Sequence, residues 1–182
     1  MTKNKTGLSF LWLSAVAFIL DLLTKYIVVQ RFDLYESVNL LPVFNLTYVR
    51  NYGAAFSFLA EHGGWQKYFF IVLAIGISLM LAYFMKKNSA EQKLQNSAYA
   101  LIIGGALANM VDRVYNGFVV DFLDFYWDIY HYPVFNVADI AICIGAGLLA
   151  LDAFKGDKKS GQKWQPISSV ICKAVMMNYS FY

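Results

Sequence analysis

Four long apolar stretches dominate the chain: Leu8–Val29, Tyr68–Met85, Ala98–Val111 running on to Asp112, and Val134–Phe154. The second contains no charged residue. A helical span takes ~20 mostly apolar residues, and hydrocarbon leaves only helices or closed barrels able to satisfy their own backbone. These runs are continuous and lack barrel alternation. The pattern predicts an α-helical membrane protein with four transmembrane helices, at about 8–29, 68–85, 95–113 and 134–154. The first stretch is expected to be retained, because no small-residue cleavage pattern follows it and Asp21 and Lys25 lie in its second half.

Charge orients the bundle. Ten Lys residues fall at the N-terminus, between the second and third spans, and after the fourth; the other two connections hold only Arg31, Arg50, Lys67 and Arg113. The positive-inside bias then predicts cytoplasmic termini and two outer loops, 30–67 and 114–133. In the first loop, Phe44-Asn45-Leu46-Thr47-Tyr48 alternates at the strand period, so a small extracytoplasmic, β-containing cap is expected, with a turn at Asn51-Tyr52-Gly53. The second, with Phe118, Phe122, Phe125, Tyr126, Trp127 and Tyr130, has the composition of an interfacial aromatic belt. Residues 156–182 form a cytoplasmic tail with no assignable role.

Composition agrees: 59% of the 182 residues are hydrophobic and 15% charged, against roughly 25% charged in soluble domains. Cys143 and Cys172 have neither metal-ligand spacing nor a disulfide framework, and the chain has just two histidines, His62 and His131. No metal and no cofactor is expected. Cys143 reads as an inert buried thiol, His62 and His131 as loop residues, and Trp65 as an interfacial anchor.

The acids carry the chemistry. Five of twelve, Asp112, Asp121, Asp124, Asp128 and Asp139, lie within positions 112–139, and a carboxylate in a bilayer costs at least ~2.5 kcal/mol. With the fourth span entering near Pro133, Asp139 is expected a couple of turns below the outer surface, level with Asp112 and Asp21. Two neighbouring carboxylates cannot both ionise cheaply, so the pair supplies an acid and a base together. Such a pair can activate water against an amide without metal, Ser or Cys. Plainer readings stand beside it: Asp21 with Lys25 as a structural i,i+4 bridge, Asp112-Arg113 as an ion pair at a helix end, Asp124 and Asp128 as solvated loop acids, and Asn109 and Asn136 as interhelical glue. Depth alone favours Asp112 with Asp139 as the pair.

Five ordered blocks carry a resemblance: Asp21-Leu22-Leu23-Thr24-Lys25, Asn51-Tyr52-Gly53-Ala54-Ala55-Phe56-Ser57, Gly104-Gly105-Ala106-Leu107-Ala108-Asn109-Met110-Val111-Asp112-Arg113, Val119-Val120-Asp121-Phe122 and Phe135-Asn136-Val137-Ala138-Asp139. Over residues 8–155 the chain resembles the bacterial lipoprotein signal peptidases, or signal peptidase II. The resemblance implies an intramembrane aspartyl endopeptidase of the bacterial inner membrane, which removes signal peptides from diacylglyceryl-modified prolipoproteins just before the lipidated Cys. It places the catalytic pair at Asp121 and Asp139, with Asn51, Asn109, Asp112, Arg113 and Asn136 supporting the site or holding substrate. Residues 1–155 would be the protease domain, monomeric, with membrane lipids and prolipoproteins as partners and no nucleic acid. Two features depart from the family: Ala108 stands where Gly is usual, and 165–182 matches no expected tail. A small proton- or cation-coupled carrier is the alternative, though no half-repeats are visible; a non-catalytic scaffold is a third reading.

Overall fold

The computed structural model describes residues 6–53 and 64–159, with side chains to Phe154. After a 3-10 turn at Gly7–Phe10 come α1 (Leu11–Arg31), β1 (Ser37–Leu41), β2 (Phe44–Asn51), α2 (Trp65–Lys87), α3 (Lys93–Tyr115), β3 (Val119–Trp127), β4 (Tyr130–His131) and α4 (Val137–Lys159). His62, Ala54–Ser57 of the second sequence block, and 160–182 of the tail lie outside the described residues.

Among the described residues, three helices are long and apolar enough to cross a membrane: Gly7–Arg31, Trp65–Lys87 and Val137–Phe154, with mean hydropathies of 1.9, 2.3 and 2.0. Their burial is inverted relative to a protein in water. Trp12, Ile19, Val72, Leu79, Ile144 and Leu151 face outward, whereas Ser14, Asp21, Lys25, Asn96, Asn109 and Asp112 are buried. Polar groups inside and apolar groups outside suit hydrocarbon as the surrounding solvent. α3 packs against α1, α2 and α4, and that shielding lets it carry Asn96, Asn109, Asp112 and Arg113.

Small residues make this packing close. A Cβ at Gly104 would lie 2.6 Å from the Ser14 carbonyl oxygen on α1, and one at Gly105 would overlap the Ala138 carbonyl oxygen on α4. The two glycines therefore bring α3's backbone against helices on two sides. Ala108 is fully buried, so its methyl lies within the packed interior.

The strands form one antiparallel sheet in the order β1-β2-β3-β4. Tyr48, Val120 and Phe122 cluster with Val28 and Phe32, which seats the sheet on the end of α1. β2 is the alternating segment expected from sequence. The second, aromatic connection holds a strand that the sequence did not signal: β3 runs nine residues and its first four positions are all buried. With both faces covered, it has no alternation to read. A register shift between Leu46 and Val49 inserts one extra residue into β2, which re-aims its side chains. Asn45, opposite Asp124 before the shift, and Thr47, within it, both serve Asp124, while Asn51 beyond it serves Asp121.

Further expectations change. α4 begins at Val137 rather than 134, because Phe135 pairs with Leu123 alongside β3. Asp139 thus stands in the first turn of α4. Cys143 is exposed, not buried. Asp124 is 3% exposed rather than solvated; it accepts hydrogen bonds from Thr47 Oγ1 at 2.9 Å and Asn45 Nδ2 at 3.3 Å, and His131 Nδ1 on β4 lies 2.8 Å away. Burial pushes the Asp124 carboxyl up, but His131, Thr47 and Asn45 outweigh it and hold the group below its ordinary value. A depressed carboxyl stabilises the fold above its unfolded pKa of about 3.9, and that contribution is lost as pH falls through the folded value. Asp124→Ala is expected to cost about 1–3 kcal/mol by stranding Thr47 and Asn45. A thermal melt at neutral pH checks this, with the native-to-variant gap closing on strong acidification.

Candidate active site

Asp121 and Asp139 come from different elements and meet through one residue, Asn136. Asn136 Nδ2 donates to Asp121 Oδ1 at 2.6 Å. The backbone N–H of Asn136 donates to Asp139 Oδ2 at 3.3 Å, and Asn136 Oδ1 accepts the Asp139 N–H at 2.9 Å. This reciprocal pair is a capping box on α4 with Asn136 as N-cap and Asp139 at N3. The cap that starts the helix therefore also aims both carboxylates, and Asn136 itself is fully buried.

Each acid has a second donor. Asn51 Nδ2, at the end of β2, donates to Asp121 Oδ2 at 2.9 Å, and Asn109 Nδ2 of α3 donates to Asp139 Oδ1 at 2.9 Å. Asp121 is 2% exposed. Burial and then the Asp139 charge push its carboxyl up to about 7, against the pull of Asn51, Asn136 and the Lys25 charge. Near neutrality Asp121 is thus poised between acid and base.

Arg113 spans the approach from α3. Its Nη1 donates to the Asn109 carbonyl and its Nη2 to the Gly53 carbonyl, both at 3.2 Å. Its guanidinium lies 4.8 Å from the centre of the Phe70 ring, and its buried Nε has no partner among the described residues. Gly53 in turn donates its N–H to Asn51 Oδ1 at 3.1 Å, so the β2 turn and Arg113 fix one another.

Asp112 lies elsewhere. Its carboxylate meets Lys25 at 2.9 Å and accepts the Val120 N–H at 3.2 Å. It makes no ion pair with Arg113 among the described residues, so the helix-end ion pair is replaced by a buried link to α1. The expected Asp21–Lys25 bridge is present at 2.6 Å, but it is not isolated: Asp21 accepts the Ala138 N–H and Lys25 donates to Asn109. Sequence reasoning missed these links to the site. The available signal was a lysine buried in mid-span, which needs more than one carboxylate's company.

A family model described as signal peptidase (SPase) II matches residues 13–155, a span that includes every site residue above. The chain belongs to the signal peptidase II family. Among its relatives, the lipoprotein signal peptidase of Haemophilus influenzae (strain 86-028NP) is 84% identical over 163 residues, covering 90% of this chain and 95% of that one. The lipoprotein signal peptidase of Pasteurella multocida (strain Pm70) is 77% identical over 163 residues, covering 90% and 99%. The fold is also similar to a bacterial membrane enzyme solved by the in meso method at 2.3 Å, with a TM-score of 0.76, 31% identity, and coverage of 91% of this chain and 99% of that chain. As a member of the signal peptidase II family the chain is a protease of membrane-spanning architecture. The carrier reading finds no support among these relatives.

Proposed function

We propose that the protein is an intramembrane aspartyl endopeptidase that cleaves the signal peptide from diacylglyceryl-modified prolipoproteins just before the lipidated Cys, with Asp121 and Asp139 as its catalytic pair. The observation that carries this reading is the single buried asparagine, Asn136, that hydrogen-bonds both carboxylates. The ionised member takes a proton from water, which attacks the scissile carbonyl, while the protonated member polarises the carbonyl oxygen. The proton taken from water then passes to the departing amine. Asn51, Asn109 and Asn136 hold the pair in register. Arg113 supports the β2 turn and faces incoming backbone, and Asp112 acts from behind the site.

In the same reading, the four helices span the bacterial inner membrane with both termini cytoplasmic, and the sheet caps the bundle on the outer side. The positive-inside distribution of Lys supports that orientation. Shielding of α3 by the other helices supports its counting as a span despite its polar residues. Residues 1–155 constitute the working unit, acting as a monomer among membrane lipids, and the following tail has no assigned part.

The pair must hold one proton. With Asp121 held up to about 7, raising pH removes that proton, so kcat/KM is expected to fall ~tenfold per pH unit above about pH 7. Cleavage of a diacylglyceryl-modified prolipoprotein peptide, measured from pH 5 to 9, checks this; a rate still rising at pH 9 contradicts a shared-proton pair.

A further inference from the structure

Lys25 is 2% exposed, and its ammonium meets three acceptors: Asp21 Oδ2 at 2.6 Å, Asn109 Oδ1 at 2.8 Å and Asp112 Oδ2 at 2.9 Å. An ammonium can only donate: it donates to Asn109 and is ion-paired with both carboxylates. The two acids reach further. Asp21 Oδ1 accepts the backbone N–H of Ala138 at 2.7 Å, and Asp112 Oδ2 accepts that of Val120 at 3.2 Å. Ala138 immediately precedes Asp139, and Val120 immediately precedes Asp121. One buried cation on α1 therefore joins two carboxylates, each of which grips the backbone one residue before a member of the catalytic pair.

We propose that Asp21, Lys25 and Asp112 form a clamp that sets the separation and mutual aim of Asp121 and Asp139, with Lys25 as a positioning residue for the cleavage. The inference rests on the aspartyl-protease reading of that pair. A second contact strengthens it. Because Lys25 can only donate, Asn109 must turn its oxygen toward the ammonium, where Asn136 Nδ2 also donates to it at 3.2 Å. The amide nitrogen of Asn109 is thereby directed at Asp139 Oδ1. Without the ammonium the Asn109 oxygen keeps only the 3.2 Å hydrogen bond from Asn136 Nδ2, so the amide is held toward Asp139 less firmly. Lys25 thus fixes the spacing through the backbone and the orientation through Asn109.

A purely structural ion pair would act on stability alone, so the test separates turnover from folding. The full chain in lipid nanodiscs is assayed on a diacylglyceryl-modified prolipoprotein peptide as Lys25→Met, Asp112→Asn, Asp121→Asn and Asp139→Asn, with a thermal melt of each. Displacing a catalytic group by about 1 Å costs on the order of a hundredfold. Lys25→Met is expected to lose about that much in kcat per folded molecule, with KM held within about threefold.

Its pH profile is also expected to move upward, since the charged groups facing the pair among the described residues are Lys25 and Asp21 from α1 and Asp112 and Arg113 from α3, and the variant removes one of the two cations among them. Asp112→Asn, which keeps the Asp21–Lys25 pair, is expected to lose about tenfold in kcat. Native kcat and pH profile in folded Lys25→Met overturn the clamp; if that variant does not fold, native kcat in Asp112→Asn overturns it instead. Retained kcat in Asp121→Asn or Asp139→Asn overturns the protease reading of the pair, and the clamp with it. Loss in both of those aspartate variants, with native kcat in Lys25→Met and Asp112→Asn, overturns the clamp alone.

Discussion

Asp121→Asn and Asp139→Asn are each expected to lower cleavage by about a thousandfold or more while leaving the protein folded in the membrane, since general acid–base groups contribute roughly 10²–10⁴ and each acid serves in both roles. The fold should survive because Asn is nearly isosteric with Asp. At 121 the new amide keeps an oxygen for one of its two asparagine donors and loses the other, and at 139 the same holds for Asn109 and the Asn136 N–H. One lost hydrogen bond costs about 1 kcal/mol. The chemistry has no such tolerance, because an amide neither takes a proton from water nor holds one to share. The double variant is expected to be little worse than either single one, as groups acting as a unit are not additive. Turnover compared with thermal melts of the three variants checks this. A scaffold role for the acids would instead make the melts, not the turnover, carry the effect.

Gly105→Ala is the smallest change expected to disturb the site from a distance. Its new Cβ would overlap the Ala138 carbonyl oxygen and lie 2.8 Å from Ile142 Cγ1. Ile142 can rotate, but the backbone oxygen cannot move without α4. Ala138 stands in the first turn of α4 beside Asp139, so relief of the overlap shifts a carboxylate of the proposed catalytic pair. Overpacking of this kind costs about 1–3 kcal/mol, and a displacement of about 1 Å at a reacting group can cost a hundredfold in rate. Gly105→Ala should therefore lose far more activity than stability. Gly147→Ala, where a Cβ meets nothing within 4 Å, is the matched control on the same assay and melt.

The three most apolar helices, α1, α2 and α4, were legible because long apolar runs signal membrane-crossing helices without help from tertiary contacts. Their ends were less so. Val134 and Phe135 extend the apolar run, yet Phe135 pairs with Leu123, and the helix waits for the Asn136 cap. β2 was legible through its alternation, whereas β3 was hidden by burial on both faces. That concealment mattered for the site: with β3 read as a loop, depth pointed to Asp112, and only the ordered motif blocks pointed to Asp121. In the folded chain it is Asp121 that shares Asn136 with Asp139, while Asp112 is turned to Lys25. Asp124 looked solvated because its partners, Asn45 and Thr47, lie on a different strand and reach it only through the pairing of β2 with β3. Residues brought together by sheet pairing leave no local pattern, so no periodicity along the chain could have found them.

The most direct measurement is the mass of the product. Purified full-length protein in lipid is incubated at pH 6.5 with a diacylglyceryl-modified prolipoprotein peptide and a metal chelator, and the fragments are identified by mass spectrometry. The expected result is one cut, with the new N-terminus at the lipidated Cys, at a rate the chelator does not change. An uncut peptide, a cut at another bond, or a reaction abolished by the chelator would contradict a two-aspartate endopeptidase.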